Sequence, residues 1–235
     1  MNPKKSHFVV QEGKLLGHLV SSDGIRIDPE RVKAILKISL PRRKKDVQSF
    51  IGKINFLRWF IPNFVETIKQ IIAMLKKDQE FKWTTEAKNS FEKIKMALTE
   101  APVLVSPYFT KEFLTFSFAS EDTLAIVLLQ KNKDCLEQPI AFFSKTLRDS
   151  ELKYSILEKQ AYSLVKSLKF FKIYVLHSKV ISYVPNAAIK DVLTQPGSEG
   201  KRGKWIAKIM EYYVDIRPTK LVKGQGLAKL LADSN

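Results

Sequence analysis

The apolar residues of this chain change their spacing near Leu104, and no other feature constrains the fold as much. Before that point Val47, Phe50, Ile51, Ile54, Leu57 and Phe60 recur every three to four residues, which places them on one face of a helix. Beyond it Phe113–Phe118, Leu124–Gln130 and Pro139–Ser144 are compact runs rich in aromatic and β-branched side chains. The polar Asn132–Asp134 follows the second of them, and such runs are strands. Residues 1–103 thus predict a small helical unit, and residues 104–235 a mixed-sheet α/β domain, an α+β chain overall.

Turn and cap residues place the elements. Val9–Val10 and Leu15–Val20 flank Gln11-Glu12-Gly13, which predicts a hairpin turning on Gly13, followed by a short strand at Ile25–Ile27. Asp28-Pro29 supplies an N-cap and a first-turn proline for a helix over Glu30–Ile38, which Pro41 stops. Pro62-Asn63 precedes a third helix near Phe64–Leu75, and Thr84 caps a fourth carrying Phe91, Ile94 and Leu98. In the second half Tyr154 to Leu176 reads as one long helix, with Leu157, Ala161, Leu164, Leu168 and Phe171 as its apolar stripe. Lys179–Val184 and Val214–Arg217 read as strands, and Ile189–Leu193, Lys204–Glu211 and Leu227–Ala232 as helices.

Charge limits the partners. Lys and Arg number 40 against 24 Asp and Glu, giving +16, an excess that suits a polyanion. Residues 1–105 hold 20 basic and 11 acidic residues and the remainder 20 and 13, so neither half alone accounts for it. The clusters are Arg42, Arg43, Lys44 and Lys45; Lys76 and Lys77; and Lys201, Arg202 and Lys204, with Lys208 one turn further on. The single Cys135 has no internal disulfide partner, and His7, His18 and His177 lack zinc-ligand spacing. No apolar run approaches the roughly 18 residues of a membrane span, and the start of the chain is polar, so an intracellular protein, cytoplasmic or nuclear, is expected. No small-molecule substrate or cofactor is indicated.

Several short segments carry a resemblance. Leu16-Gly17-His18, Gly24-Ile25 to Asp28-Pro29, Ser49-Phe50-Ile51-Gly52, Arg58-Trp59-Phe60-Ile61-Pro62 and Ala101-Pro102-Val103-Leu104 resemble the late palm, thumb and linker of reverse transcriptases from gypsy-class LTR retrotransposons. Pro139-Ile140-Ala141, Ser144-Lys145 and Lys223-Gly224-Gln225-Gly226-Leu227-Ala228 resemble the RNase H domain that follows in those polyproteins. The nearest flavour is the plant Tat/Ogre group, in which this domain is degenerate and a separate RNase H cuts.

The resemblance places the family's four catalytic acids on Phe118, Gln160, Pro185 and Lys229. Two-metal hydrolysis needs hard oxygen ligands; Phe and Pro have no side-chain oxygen, Gln offers a neutral amide, and Lys repels a cation. Glu158 lies two residues before Gln160, about 200° around the helix. Glu121 and Asp122 read as a solvated strand end, and Asp191 is the nearest acid after Pro185. The family's polymerase Tyr-x-Asp-Asp is absent, and no adjacent Asp pair occurs.

The resemblance therefore implies a pseudoenzyme that grips RNA, DNA or an RNA/DNA hybrid through backbone contacts, or tethers a downstream nuclease. A recruited protein-interaction module, acting for example on a related polymerase, is the alternative, and residual Mg²⁺-dependent cleavage a third. Phe56, Trp59 and Phe60 beside the Arg42–Lys45 cluster look like a stacking platform, although core packing is their ordinary role. Arg58, expected to be exposed, is the better contact candidate. Trp205 and His18 read as structural.

Overall fold

The computed structural model describes residues 11–76, 81–195 and 199–218. Val9–Val10, the Leu227–Ala232 helix, His7, Lys77 and Lys229 lie outside the described residues.

The chain opens with an antiparallel sheet of β1 (Glu12–Leu15), β2 (His18–Ser21) and β3 (Gly24–Ile27). Its first turn is not at Gly13, which pairs with Val20 inside the ladder. It lies at Leu16-Gly17, with φ of 50° and 79°, the two positive values that a two-residue hairpin turn requires. Gly24 has φ 130°, and a Cβ there would lie 2.3 Å from the Leu104 carbonyl oxygen. That close approach exists because Ile25 and Leu104 exchange backbone hydrogen bonds of 2.7 and 2.8 Å, tying the hairpin to the start of the second half.

Four helices follow: α1 (Pro29–Leu36), α2 (Lys44–Asn55), α3 (Phe64–Ala73) and α4 (Thr85–Thr99). Asp28 caps α1 through the Glu30 amide, and Thr84 caps α4 through the Ala87 amide, as expected. The apolar series from Val47 to Phe60 is not one helix. α2 stops at Asn55, and a 3₁₀ turn at Arg58–Phe60 re-aims the chain while Leu57 and Phe60 stay buried.

The second sheet holds β4 (Phe113–Ala119), β5 (Thr123–Lys131), β6 (Glu137–Thr146), β7 (Val180–Val184) and β8 (Val214–Pro218) in the order β6-β5-β4-β7-β8. The β4–β5 and β5–β6 pairs are antiparallel, and the β4–β7 and β7–β8 pairs parallel. Between β6 and β7 run α5 (Asp149–Leu152), which the sequence reading missed, α6 (Ile156–Phe170) and α7 (Lys172–Val175). The expected single helix from Tyr154 to Leu176 breaks at Phe171, and α6 begins with a Ser155–Glu158 capping box. α8 (Ala188–Thr194) and α9 (Gly200–Ile209) lie between β7 and β8.

Alternation along the strands feeds two cores. Leu114, Phe116, Ala125, Val127 and Leu129 join Val47, Phe50, Ile54, Phe64, Phe91 and Leu98 in one cluster, so the helices of the first half cover one face of the sheet. Phe113, Leu124, Ile126 and Leu128 point the other way, toward Ala161, Leu164, Leu168 and Trp205 on α6 and α9. A sheet covered on both faces explains why β5 is apolar at nearly every position. Polar clasps reinforce the shared side. Arg58 donates to the Ser144 carbonyl (2.8 Å), the Val65 amide to Ser144 Oγ (3.1 Å) and Thr123 to Glu66 (2.9 Å), while Lys69 pairs with Asp122 at 2.5 Å. Trp59 stacks on Phe170, which stacks on Phe143.

Candidate nucleic-acid interface

The parallel strands β4 and β7 end side by side. Their register pairs Phe113 with Val180 and Phe116 with Tyr183; continued along the same offset it brings position 118 opposite Pro185, which lies in an exposed bend after β7. Gln160, in the second turn of α6, reaches the same strand end. Its amide donates to the Ala119 carbonyl (2.7 Å) and accepts from the Ala119 amide (2.9 Å), and the side chain is buried. Ser163 adds a bond to the Phe118 carbonyl. Three of the four positions thus lie at one end of the sheet, and Gln160 acts there as a two-point backbone clamp.

A carboxylate could not take over that clamp, because it accepts but does not donate. Replacing Gln160 with Glu would set a buried negative charge against the Ala119 carbonyl. We expect Gln160→Glu to lose roughly 1–3 kcal/mol of unfolding free energy in urea at pH 7; an unchanged midpoint would show that the clamp contributes nothing.

Neighbouring acids are engaged elsewhere. Glu158 closes the capping box and pairs with Lys201 (3.0 Å) and Arg202 (3.4 Å). Asp122, expected to be solvated, holds Lys69; Glu121 is exposed, as expected, and it is its backbone carbonyl, not its carboxylate, that accepts from the buried Lys159 at 2.5 Å. Among the described residues no three His, Cys, Asp or Glu side chains are grouped to hold a metal ion. Glu151 anchors the same flank: its carboxylate pairs with Lys145 at 2.8 Å and accepts hydrogen bonds from the Arg148 amide and the Tyr162 hydroxyl. Burial alone would raise its pKa, but these hydrogen bonds prevail and hold it at about 2. Burial and the bond to Glu151 push the Tyr162 hydroxyl up.

The basic clusters divide by face. Lys44 donates to the Lys76 carbonyl at 2.8 Å, which joins Arg42–Lys45 to Lys76 on the helical side of the sheet. Lys201, Arg202, Lys204 and Lys208 ride on α9, across the sheet. Arg43 is held by both Asp46 oxygens (3.0 and 2.9 Å), and Lys208 by Glu211. Arg42, Lys45, Lys76 and Lys204 are exposed with no ion-pair partner among the described residues. Arg58 corrects the expectation of exposure: it is half-buried against Ser144, and desolvation lowers its pKa. Phe60 is core, Trp59 is partly covered by Phe170, and Phe56 stacks on His18 beneath the Arg31 guanidinium. The platform is therefore largely occupied by its own neighbours. His18 is sandwiched by Phe56 and Phe60, and burial followed by the Arg31 charge lowers its pKa. Trp205 packs between Tyr154 and Tyr162.

One residue entered the sequence reading only as part of the Ser49-Phe50-Ile51-Gly52 resemblance, with no role assigned to it. Gly52 lies inside α2 with an ordinary helical φ, and a Cβ added to it would meet nothing within 4 Å. Packing does not explain a glycine there, although it costs a helix about 1 kcal/mol relative to Ala. Gln48 and Phe56, one turn to either side, are also exposed.

A five-stranded sheet with three antiparallel strands continued by two parallel ones, crossed by a long helix between the third and fourth, defines an RNase H-like domain. Residues 83–182 match the family described as an RNase H-like domain found in reverse transcriptase; the match takes in α4 and the sheet from β4 into β7. The chain thus carries the RNase H-like domain of retrotransposon and retroviral reverse transcriptases. It is 33% identical over 215 residues to the retrovirus-related Pol polyprotein from transposon 297 of Drosophila melanogaster, covering 90% of this chain and 20% of that polyprotein. Against the transposon Tf2-3 polyprotein of Schizosaccharomyces pombe the identity is 31% over 175 residues, 74% of this chain and 13% of the relative. The chain therefore spans a fifth or less of these curated relatives. Two solved structures align over 93% of it with TM-score 0.74 and 27% identity: the foamy viral protease-reverse transcriptase dRH in complex with double-stranded DNA, and the foamy viral protease-reverse transcriptase in complex with RNA/DNA hybrid. The alignments cover 39% and 30% of those chains.

Proposed function

We propose that the chain is the thumb and RNase H-like portion of a retrotransposon-type reverse transcriptase, closest to the plant Tat/Ogre group, in which the RNase H-like domain no longer cuts. It holds RNA/DNA hybrid through backbone contacts and does not hydrolyse it. The observation that carries the reading is Gly52: a helix-interior glycine with open space above it, between exposed Gln48 and Phe56, on the helix that begins with Lys44 and Lys45 and whose Lys44 holds the Lys76 carbonyl. Such a surface lets a sugar-phosphate backbone lie close against the helix. The nucleic acids bound by the two foamy viral structures support the same ligand class. The loss of cutting is supported by the residue types at 118, 160 and 185 and by the commitment of the Gln160 amide to Ala119.

Gly52→Ala separates this role from a structural one. It should raise helix stability by up to about 1 kcal/mol while weakening hybrid binding several-fold by fluorescence anisotropy. Increased stability with unchanged affinity would remove α2 from the interface. A Mg²⁺ cleavage gel on the same samples should show intact hybrid, and cleavage abolished by EDTA would overturn the loss of catalysis.

A further inference from the structure

The Ile38–Arg43 loop between α1 and α2 is held by side chains from distant elements. Trp83 Nε1 donates to the Pro41 carbonyl (2.6 Å) and Lys95 Nζ to the Ile38 carbonyl (2.7 Å). The loop separates two hollows that meet at Arg42. One, of about 580 Å³, runs along α2 past Ser49 and Lys53; the other, of about 530 Å³, runs toward Phe81, Lys82 and Trp83. Among the described residues Asp46 is the one acid lining either hollow, and Arg43 already holds both of its oxygens. Arg42, Lys53 and Lys82 are exposed with no ion-pair partner among the described residues.

Three exposed cations along a fixed groove, none ion-paired among the described residues, with half-buried aromatic rings on one wall, suit a chain of phosphates bearing planar bases. Each hollow has the volume of a small-ligand pocket, enough for a nucleotide. The groove lies beside the Gly52 face of α2, because Ser49 and Lys53 are each one residue, about 100°, around the helix from Gln48 and Gly52. We propose that this groove binds a single-stranded nucleic-acid extension leaving the hybrid, with phosphates on Lys53 and Lys82 and bases in the hollows to either side of Arg42, which holds the duplex end of the backbone. The inference extends the hybrid-binding reading and rests on it for the position of the duplex.

The test compares a blunt RNA/DNA hybrid, the same hybrid with a short single-stranded extension, and the isolated single strand, each bound to the full chain. The extension should tighten binding about tenfold. The doubly substituted Lys53→Glu/Lys82→Glu chain should lose that gain while binding blunt hybrid as before, with an unchanged circular dichroism spectrum. No gain from the extension, or equal losses on blunt and extended hybrids, overturns the proposal. If blunt hybrid fails to bind while the single strand binds and the variant releases it, the duplex reading falls and the groove stands.

Discussion

Affinity for a blunt RNA/DNA hybrid is expected to fall only about 40-fold between roughly 50 and 200 mM salt, a shallow slope for so basic a chain. The reason lies in how the cations are committed. Lys204 and its neighbours occupy the opposite face of the sheet, and Arg43 is held by Asp46. Arg42, Lys45 and Lys76 remain beside α2 without ion-pair partners among the described residues. About three phosphate contacts give a logarithmic slope near −2.7, whereas six to ten would give losses of about 10³–10⁵. A salt titration by anisotropy decides. A slope near −3 supports one-sided contact, and a much steeper one means that α9 or opened ion pairs also engage. A flat slope removes backbone binding altogether and favours a protein partner.

Acid should expose the weight carried by Glu151. Its folded pKa of about 2 lies below the ordinary 4.5. The ionised form therefore stabilises the fold fully above about pH 5, and the contribution declines as pH falls toward 2. The depression corresponds to about 3 kcal/mol at pH 7, in line with the loss of one partner from a buried pair. Glu151→Gln keeps the shape but not the charge that receives Lys145, Tyr162 and the Arg148 amide. Urea denaturation should show a deficit of about 3 kcal/mol at pH 7, shrinking to about half that at pH 3. Equal deficits at the two pH values would mean that packing, and not ionisation, is responsible.

Much of the architecture was legible because it is local. Asp28-Pro29 and Thr84 announced their helices through single hydrogen bonds, and the strands of the second sheet announced themselves through residue type. The errors occurred where local signals compete. Gly13 and Gly17 both sit where a turn glycine is welcome, and strand register chose between them. The helical spacing of Leu57 and Phe60 survived a 3₁₀ turn, because both helix types bring residues three apart onto one side. The site was legible only as a set of substitutions. Nothing in the order of residues says that Gln160 closes on Ala119, that Arg58 is spent on Ser144, or that Lys53 and Lys82 flank Arg42. Gly52 was hidden differently, since its significance is the empty space beside it.

The cluster joining the helices to the lower face of β4, β5 and β6 bears on inheritance. Baring Leu114, Phe116, Val127 and Phe142 by removing the helical unit would forfeit roughly 6–12 kcal/mol of burial, as much as a whole domain's net stability. Neither portion can be discarded, exchanged or allowed to drift apart without unroofing the other. On the proposed reading, selection on the grip of α2 would be enough to preserve the sheet behind it, leaving the residues at the end of β4 and β7 constrained only by the fit of the fold.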